Sequence, residues 1–290
     1  MDGVLVVDKP EGLTSHDVVA AVRRATGEKR IGHTGTLDPL ATGVLPLACG
    51  RATRLVRFLT ASDKEYEAVV RFGVTTDSYD ITGEETSKSG AEPTAHALAA
   101  AVASLTGEYL QMPPAYSAKK VGGRRAYEFA RRDEKVVLTA VPVRVPRAEV
   151  TAFTGRTAAI TLTCSAGFYV RTFAHELGQR VGTGACLEAL RRTRSGGFVV
   201  AEALPLASLS GGVSTNDLIP LERLLPGFPS VTVSDEGLTR VSHGRELDQA
   251  HFTPKVDGTW VRILDRDGRL AALGTRGNAP DSLHPTVVLI

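Results

Sequence analysis

Cysteine is scarce in this chain of 290 residues, and the three that occur, Cys49, Cys164 and Cys186, are odd in number and far apart. They form no Cys-x-x-Cys pair and show no cysteine and histidine spacing typical of zinc. The sequence therefore excludes a disulfide-stapled scaffold and predicts no metal centre. Because reduced thiols are typical of the cytoplasm, we expect a cytoplasmic protein whose cysteines are buried.

Long hydrophobic runs are also missing. The longest alanine-rich run, Ala97 to Leu105, is far shorter than the roughly 20 residues that a helix needs to cross a bilayer. The first residues, Met1 to Val4, lack the basic and apolar regions of a signal peptide. We therefore expect no role in a membrane.

Net charge is low, at +2, so overall charge alone does not predict a polyanionic partner. Its distribution is more informative. Residues 117–132 contain six basic residues and one acidic residue, whereas residues 61–92 contain eight acidic and three basic ones. A second basic run occupies residues 191–194. A charged run usually marks a solvated face, but the nearby tyrosines Tyr116 and Tyr127 favour contact with an RNA backbone.

Glycine and a single carboxylate dominate the segment 33–45, which reads His-Thr-Gly-Thr-Leu-Asp-Pro-Leu-Ala-Thr-Gly-Val-Leu. Gly35 and Gly43 permit backbone conformations that other residues avoid, and Pro39 restricts the residue before it to extended or turn geometry. Asp38 therefore lies on a stiff turn. Asp-Pro in a glycine-rich loop is by itself ordinary turn chemistry.

The full string at 32–46 resembles the catalytic motif of the TruB family of tRNA pseudouridine synthases. Other blocks match the family in the same order across about residues 3–225, namely 7–10 with 12–15, 63–66, 112–120, 167–172 and 190–192. Five ordered blocks do not recur by chance. The resemblance implies that the chain isomerises uridine 55 in the TΨC loop of tRNA.

The resemblance implies that Asp38 is the catalytic residue and Arg171 its cationic partner. The reaction breaks the C1′–N1 bond. An ionised carboxylate beside C1′ can act as a nucleophile, or can stabilise positive character at the sugar and help to remove the C2′ proton, and the sequence leaves both routes open. Burial drives a carboxylate toward its neutral form, so a nearby cation is needed. Arginine suits this task because its fork binds a carboxylate in two places and keeps its proton.

The resemblance also implies further site residues. Tyr66 would stack on the target base, Tyr169 and Leu190 would line the uracil pocket, His33 would stack where the flipped nucleotide had been, and Lys9 would support the catalytic loop. We expect the basic runs to contact the RNA backbone through Lys119, Lys120, Arg124, Arg125, Arg191 and Arg192. Isomerisation itself requires no redox cofactor and no metal.

Periodicity predicts an α+β fold with a mixed or antiparallel sheet. We expect helices at about Ser15–Arg24, Ala52–Leu59, Thr94–Leu105 and Val170–Val181, with Thr14 or Ser15 as the cap of the first. We expect core strands at Val4–Val7, Val44–Cys49, Tyr66–Phe72 and Thr157–Ser165. The basic, glycine-broken segment at about 112–142, with a helix near Ala126–Arg132, matches a thumb-like insertion of the family that grips RNA.

Residues 226–229, Pro-Gly-Phe-Pro, break the pattern and predict a domain boundary. We expect a catalytic domain at 1–226 and a small β-rich domain at 230–290, with strands Trp260–Leu264, Leu270–Leu273 and Val287–Ile290. Its position is that of a PUA-like RNA-binding domain. Because it has seven basic and eight acidic residues, a purely structural cap is an equal alternative.

Three other functions are alternatives. A non-catalytic RNA-binding or RNA-folding protein would not need Asp38. A nucleotide-phosphate enzyme is disfavoured because the loop lacks the Gly-Lys-Ser/Thr ending of a P-loop. Related synthases modify ribosomal RNA with guide RNA and partner proteins, but the compact length and lack of basic tails favour action alone on the TΨC arm of tRNA. We therefore expect a monomer without an obligate protein partner.

Overall fold

The computed structural model describes residues 1–117, 119–125, 129, 132, 134 and 137–290, without the side chains of Lys120, Val121, Arg124, Arg125 and Ser210. The helices in this part of the chain are α1 (Ser15–Thr26), α2 (Val56–Thr60), α3 (Ala95–Ser104), α4 (Val170–Val181) and α5 (Asp235–Ser242).

The strands in the same residues are β1 (Gly3–Lys9), β2 (Ile31–His33), β3 (Thr42–Cys49), β4 (Lys64–Phe72), β5 (Val74–Thr76), β6 (Glu85–Lys88), β7 (Gly107–Gln111), β8 (Lys120–Val121), β9 (Arg124–Arg125), β10 (Val141–Val145), β11 (Arg147–Phe153), β12 (Thr157–Cys164), β13 (Ala185–Ser195), β14 (Phe198–Val199), β15 (Leu204–Pro205), β16 (Leu218–Ile219), β17 (Ser230–Val233), β18 (Phe252–Thr253), β19 (Val261–Leu264), β20 (Leu270–Arg276) and β21 (Leu283–Val288).

A large mixed sheet organises the first three quarters of the chain. Its strand order is β11-β12-β4-β13-β3-β1-β15, with β2 beside β3, β14 beside β13 and β16 beside β1. The pairs β12–β4 and β4–β13 are antiparallel, whereas β13 and β3 run parallel. This order places β13 and β3 at the centre, so the loop that precedes β3 lies over the middle of the sheet.

Alternation along β4 shows why one face of this sheet is covered. Its even-numbered residues from Lys64 to Phe72 are buried and its odd-numbered ones point to the other, more exposed face. Helices α1, α3 and α4 supply the apolar partners, among them Val18, Leu98 and Phe173, in one continuous core. The buried side chains of β4 and β13 therefore face the space between the sheet and α4.

Helix α1 begins at a capping box. The backbone N–H of Asp17 donates to the Thr14 hydroxyl, and the Asp17 carboxylate accepts from the Thr14 backbone. Gly27 in a left-handed conformation ends the helix. The expectation that Thr14 or Ser15 caps this helix is confirmed for Thr14.

The tail forms a second sheet of order β18-β17-β19-β20-β21. It packs against the rest of the chain through an apolar cluster that includes Leu55, Leu270 and Leu289, and the rings of Phe58 and Trp260 meet edge to face with centroids 4.7 Å apart. The β-rich character of the tail is confirmed. Its relation to PUA domains and the domain bounds stay predictions.

The expected α+β class with a mixed sheet is confirmed, and α4 has the predicted bounds. The segment expected as one helix at Ala52–Leu59 is instead a 3-10 turn at Gly50–Leu55 followed by α2. The helix expected near Ala126–Arg132 lies largely outside the described residues. No helix in the described part of the chain is long and apolar enough to cross a membrane.

Candidate functional site

The loop between β2 and β3 is held by its backbone. The Ser15 hydroxyl donates to the Leu37 carbonyl at 3.0 Å and accepts from the Leu37 N–H at 2.8 Å. The Gly12 N–H donates to the Pro39 carbonyl at 2.8 Å. These bonds hold both sides of Asp38, whose side chain is 42% exposed and projects into a cavity.

Asp38 and Arg171, 133 residues apart in the chain, form an ion pair. The Arg171 Nε donates to Asp38 Oδ2 at 2.9 Å. Its other two nitrogens, Nη1 and Nη2, donate to the carbonyls of Ser78 and Tyr116 at 2.9 and 2.8 Å. Because every arm of the guanidinium is engaged and only 7% of the side chain is exposed, its orientation toward Asp38 is fixed.

A second carboxylate lies behind this pair. Asp80 Oδ2 is 3.6 Å from Arg171 Nε, and the Asp80 side chain is only 7% exposed. Its Oδ1 accepts from Ser78 Oγ at 3.0 Å and from the Thr82 N–H at 3.0 Å. Asp80 therefore compensates the charge of Arg171 and braces the segment whose Ser78 carbonyl also binds Arg171. Sequence reasoning missed this residue.

The start of helix α4 carries Arg171 to its place. The Gln111 side-chain oxygen accepts from the Tyr169 N–H at 2.8 Å, and its amide nitrogen donates to the Tyr169 carbonyl at 3.1 Å. The Thr172 hydroxyl donates to the Met112 carbonyl at 3.1 Å. These bonds tie the first turn of α4 to the end of β7, so Arg171 reaches the loop from a rigid base.

The cavity over Asp38 has a volume of about 260 Å³. Pockets for drug-sized ligands are larger, roughly 300–1,000 Å³, so this one suits a group the size of one nucleobase. Its lining includes residues from β4, from β13, from the turn before α4 and from the segment after β7, namely Lys64, Tyr66, Leu190, Arg192, Phe168, Tyr169 and Ser117. The three residues expected at the uracil, Tyr66, Tyr169 and Leu190, therefore share one cavity with Asp38.

Burial raises the pKa values of the two tyrosines in the cavity, Tyr66 and Tyr169. It raises the pKa of Tyr66, which is 8% exposed, while the Arg192 guanidinium opposes that rise. Burial likewise raises the pKa of Tyr169. Both phenols are therefore neutral at physiological pH and present flat, largely apolar surfaces to a ligand.

Lys9 supports the loop that carries Asp38 from beneath. Its side chain is fully buried, and Nζ donates to the carbonyls of Ala41 at 2.6 Å, Pro10 at 2.9 Å and Pro39 at 3.3 Å. Burial lowers its pKa to about 8. This geometry fits the expected support of the loop and leaves no path for direct contact with a substrate.

Arg192 is buried, whereas a contact with the RNA backbone requires an exposed side chain. It is 1% exposed, and its guanidinium donates to the carbonyls of Val44 at 2.7 Å, Gly35 at 3.1 Å and Thr36 at 3.5 Å. The prediction for Arg192 is corrected accordingly, because a phosphate cannot reach it. The adjacent Gly43 (φ 98°) has no room for a side chain, since a Cβ there would collide with the Arg192 carbonyl.

Three of the remaining predicted residues, His33, Arg191 and Lys119, are not among the described residues that line this cavity. His33 is half-buried in β2 opposite Leu47. Arg191 is 38% exposed and binds Asp8 through both terminal nitrogens, at 2.7 and 3.1 Å. Lys119 is half-buried, and the side chains of Lys120, Arg124 and Arg125 lie outside the described part of the structure.

Comparison with known proteins identifies the family. Residues 23–170 match the model of the TruB family pseudouridylate synthase N-terminal domain. The chain belongs to the TruB family. It is 46% identical to tRNA pseudouridine synthase B of Solibacter usitatus over the whole of both chains, and 41% identical to that of Thermobifida fusca over 99% of this chain and 98% of the relative.

A solved structure of an H/ACA ribonucleoprotein bound to a substrate RNA containing 2′-deoxyuridine contains a chain of the same fold, with a TM-score of 0.74 and 25% identity. The match covers 99% of this chain and 85% of that one. Among the described residues of the TruB-family chain, no group of three or more His, Cys, Asp or Glu side chains is arranged to hold a metal.

Proposed function

We propose that this protein converts uridine to pseudouridine at position 55, in the TΨC loop of tRNA. The observation that carries the proposal is the Asp38–Arg171 ion pair, 2.9 Å long, at the wall of a base-sized cavity. The membership of the TruB family and the full-length likeness to tRNA pseudouridine synthases B support it.

The reaction begins when the nucleotide leaves its stack, which costs a few kcal/mol. The base enters the cavity against Tyr66, with Tyr169 and Leu190 on its other sides. Asp38 then lies beside the ribose, where its carboxylate attacks C1′ or assists loss of a C2′ proton. Since the cavity walls exclude water, the opened sugar reacts with C5 of the same uracil and not with solvent.

Arg171 holds the Asp38 carboxylate in one orientation during these steps, through the hydrogen bond from its Nε. Both routes require that carboxylate beside the ribose, so removing it abolishes the chemistry. Removing Arg171 leaves the carboxylate without this partner, and neither change alters the RNA-binding surface. Pseudouridine formation is an isomerisation, and no group outside the protein and its tRNA is needed to balance it.

We propose that the protein acts alone, as a monomer, on the TΨC arm. The likeness to tRNA pseudouridine synthases B over the whole chain favours this over guided action, although the fold is shared with a chain of an H/ACA ribonucleoprotein. The three cysteines are buried and unpaired, and we propose the cytoplasm as the compartment.

One experiment tests the proposal. An unmodified tRNA transcript is incubated with the protein alone, without guide RNA, cofactor or added metal, and pseudouridine is mapped along the transcript. The wild type should form pseudouridine at position 55, and Asp38→Asn should form none while its affinity for tRNA is retained. A wild type that binds tRNA without forming pseudouridine would instead identify an RNA-binding protein.

A further inference from the structure

Lys64 lines the same cavity, yet nothing in the proposed function assigns it a task. It begins β4 two residues before Tyr66, and the period of two places both side chains on the same face of the sheet. Lys64 is 6% exposed. A lysine is rarely buried without an acidic partner, so its position requires an explanation.

The ammonium of Lys64 is only partly satisfied. Nζ donates to the carbonyls of Thr60 at 2.7 Å and Ser62 at 2.5 Å. It has a third N–H, for which no acceptor exists among the described residues. Nor does it form an ion pair with any acidic residue in that part of the chain, which leaves one donor and a full positive charge at the cavity.

The other charges of the cavity do not compensate Lys64. Asp38 is paired with Arg171, which Asp80 also faces. Arg192 donates to backbone carbonyls and, within the described residues, pairs with no carboxylate. Gly35 lies next to both cations, because a Cβ built on it would be 3.6 Å from Arg192 Nη1 and 3.9 Å from Lys64 Cε. Lys64 and Arg192 therefore place a surplus of positive charge at one side of the cavity.

This surplus is costly while the cavity is empty. Burial and, after it, the neighbouring charge of Arg192 lower the pKa of Lys64 to about 8, whereas Cys164 and Asp63 act in the other direction. A buried cation of this kind is stabilised when negative charge enters the space beside it.

The isomerisation generates such a charge. When the C1′–N1 bond breaks, its electron pair stays on N1, and the uracil becomes an anion delocalised over its ring and carbonyl oxygens. The sugar is balanced by a bond from Asp38 to C1′ or by loss of a C2′ proton that is later returned. When C5 bonds to C1′, the Asp38–C1′ bond breaks and frees the carboxylate, or the C2′ proton returns; C5 then loses a proton and N1 gains one, so all atoms are conserved.

We propose that Lys64 is a catalytic residue whose ammonium stabilises the negative charge of the detached uracil, with the buried Arg192 strengthening the positive field. This assignment rests on the proposed function. It divides the work of the cavity, because Asp38 and Arg171 act on the sugar while Lys64 acts on the leaving base.

Lys9 provides a matched control for Lys64. Both lysines are buried, both donate to backbone carbonyls and both have a pKa lowered to about 8. Only Lys64 lines the cavity over Asp38, since Lys9 lies beneath the loop. Replacing each by methionine removes one charge from a similar environment, so a difference between the variants reports on the cavity and not on burial.

The test compares uridine with 5-fluorouridine at the target position under single-turnover conditions, scoring loss of the original nucleoside. Fluorine withdraws electrons and stabilises the uracil anion, so cleavage needs less help from the protein. Lys64→Met should lower the rate on uridine by about 10²–10³-fold, as removal of one charge-stabilising donor does elsewhere, and the rate on 5-fluorouridine at least tenfold less. Lys64→Arg, which keeps the charge, should recover part of the loss.

Lys9→Met should slow both substrates by the same factor. Because each comparison uses one protein preparation with two substrates, loss of folded protein cancels. An equal loss on both substrates for Lys64→Met would overturn the assignment, whereas failure of the proposed function would show itself as a wild type that converts neither substrate.

Discussion

Replacing Asp80 by asparagine tests whether the second carboxylate controls Arg171. The side chain keeps its shape, and Oδ1 can still accept from Ser78 and Thr82, but the charge 3.6 Å from Arg171 Nε disappears. At an effective dielectric constant of about 20, two charges at this distance interact by about 4–5 kcal/mol. If half of that orients Arg171 in the transition state, the rate falls roughly fiftyfold.

The assay is single-turnover release of tritium from C5 of the target uridine in a labelled tRNA transcript, because the C5 hydrogen leaves during isomerisation. Binding of tRNA is measured on the same variant and should be unchanged. Asp77→Asn is the matched control, since Asp77 lies on the same turn and accepts from the Glu84 N–H, away from Arg171. An Asp80→Asn rate within twofold of wild type would refute the reasoning.

Two further predictions concern stability and RNA binding. The pKa of Lys9 falls from 10.5 to about 8 on folding, so the unfolded chain binds more protons between these values, and the free energy of unfolding should rise with pH across this interval. Urea unfolding at pH 8 and 10 measures this rise in the free energy of unfolding, which should be about 2 kcal/mol smaller in Lys9→Met than in the wild type. An equal rise in the two proteins would contradict the prediction. Joint neutralisation of Lys119, Lys120, Arg124 and Arg125 should weaken tRNA binding. It should also reduce the magnitude of the slope of log affinity against log salt concentration by about 0.7–0.9 for each phosphate that the variant no longer binds. An unchanged slope would show that these residues do not contact RNA.

The sequence predicts the parts of the site that a continuous motif or a periodic pattern encodes. The loop around Asp38 and the start of α4 with Arg171 lie where they are expected, and their pairing follows from the family resemblance. Asp80 is, in the sequence, only one member of an acidic run. Its role depends on the β5–β6 turn folding back onto α4, which no local pattern specifies.

Arg192 shows a different reason for error. The run at 191–194 resembles a single basic surface in the sequence, but in a strand successive side chains point to opposite faces. Arg191 reaches Asp8 on the partly exposed face and Arg192 points into the interior. The alternation of a strand within the basic run is the signal that could have separated them.

Lys9, Ser15 and Arg192 share a property that bears on how this loop tolerates change. Each grips the peptide chain itself, which every amino acid supplies, and none depends on a neighbouring side chain of the loop. Substitution at an exposed position such as Thr36 is therefore compatible with an unchanged path of the loop. The three anchoring side chains cannot be replaced in the same way. Substitutions among related chains should therefore be concentrated at exposed positions of the loop and be nearly absent at Lys9, Ser15 and Arg192.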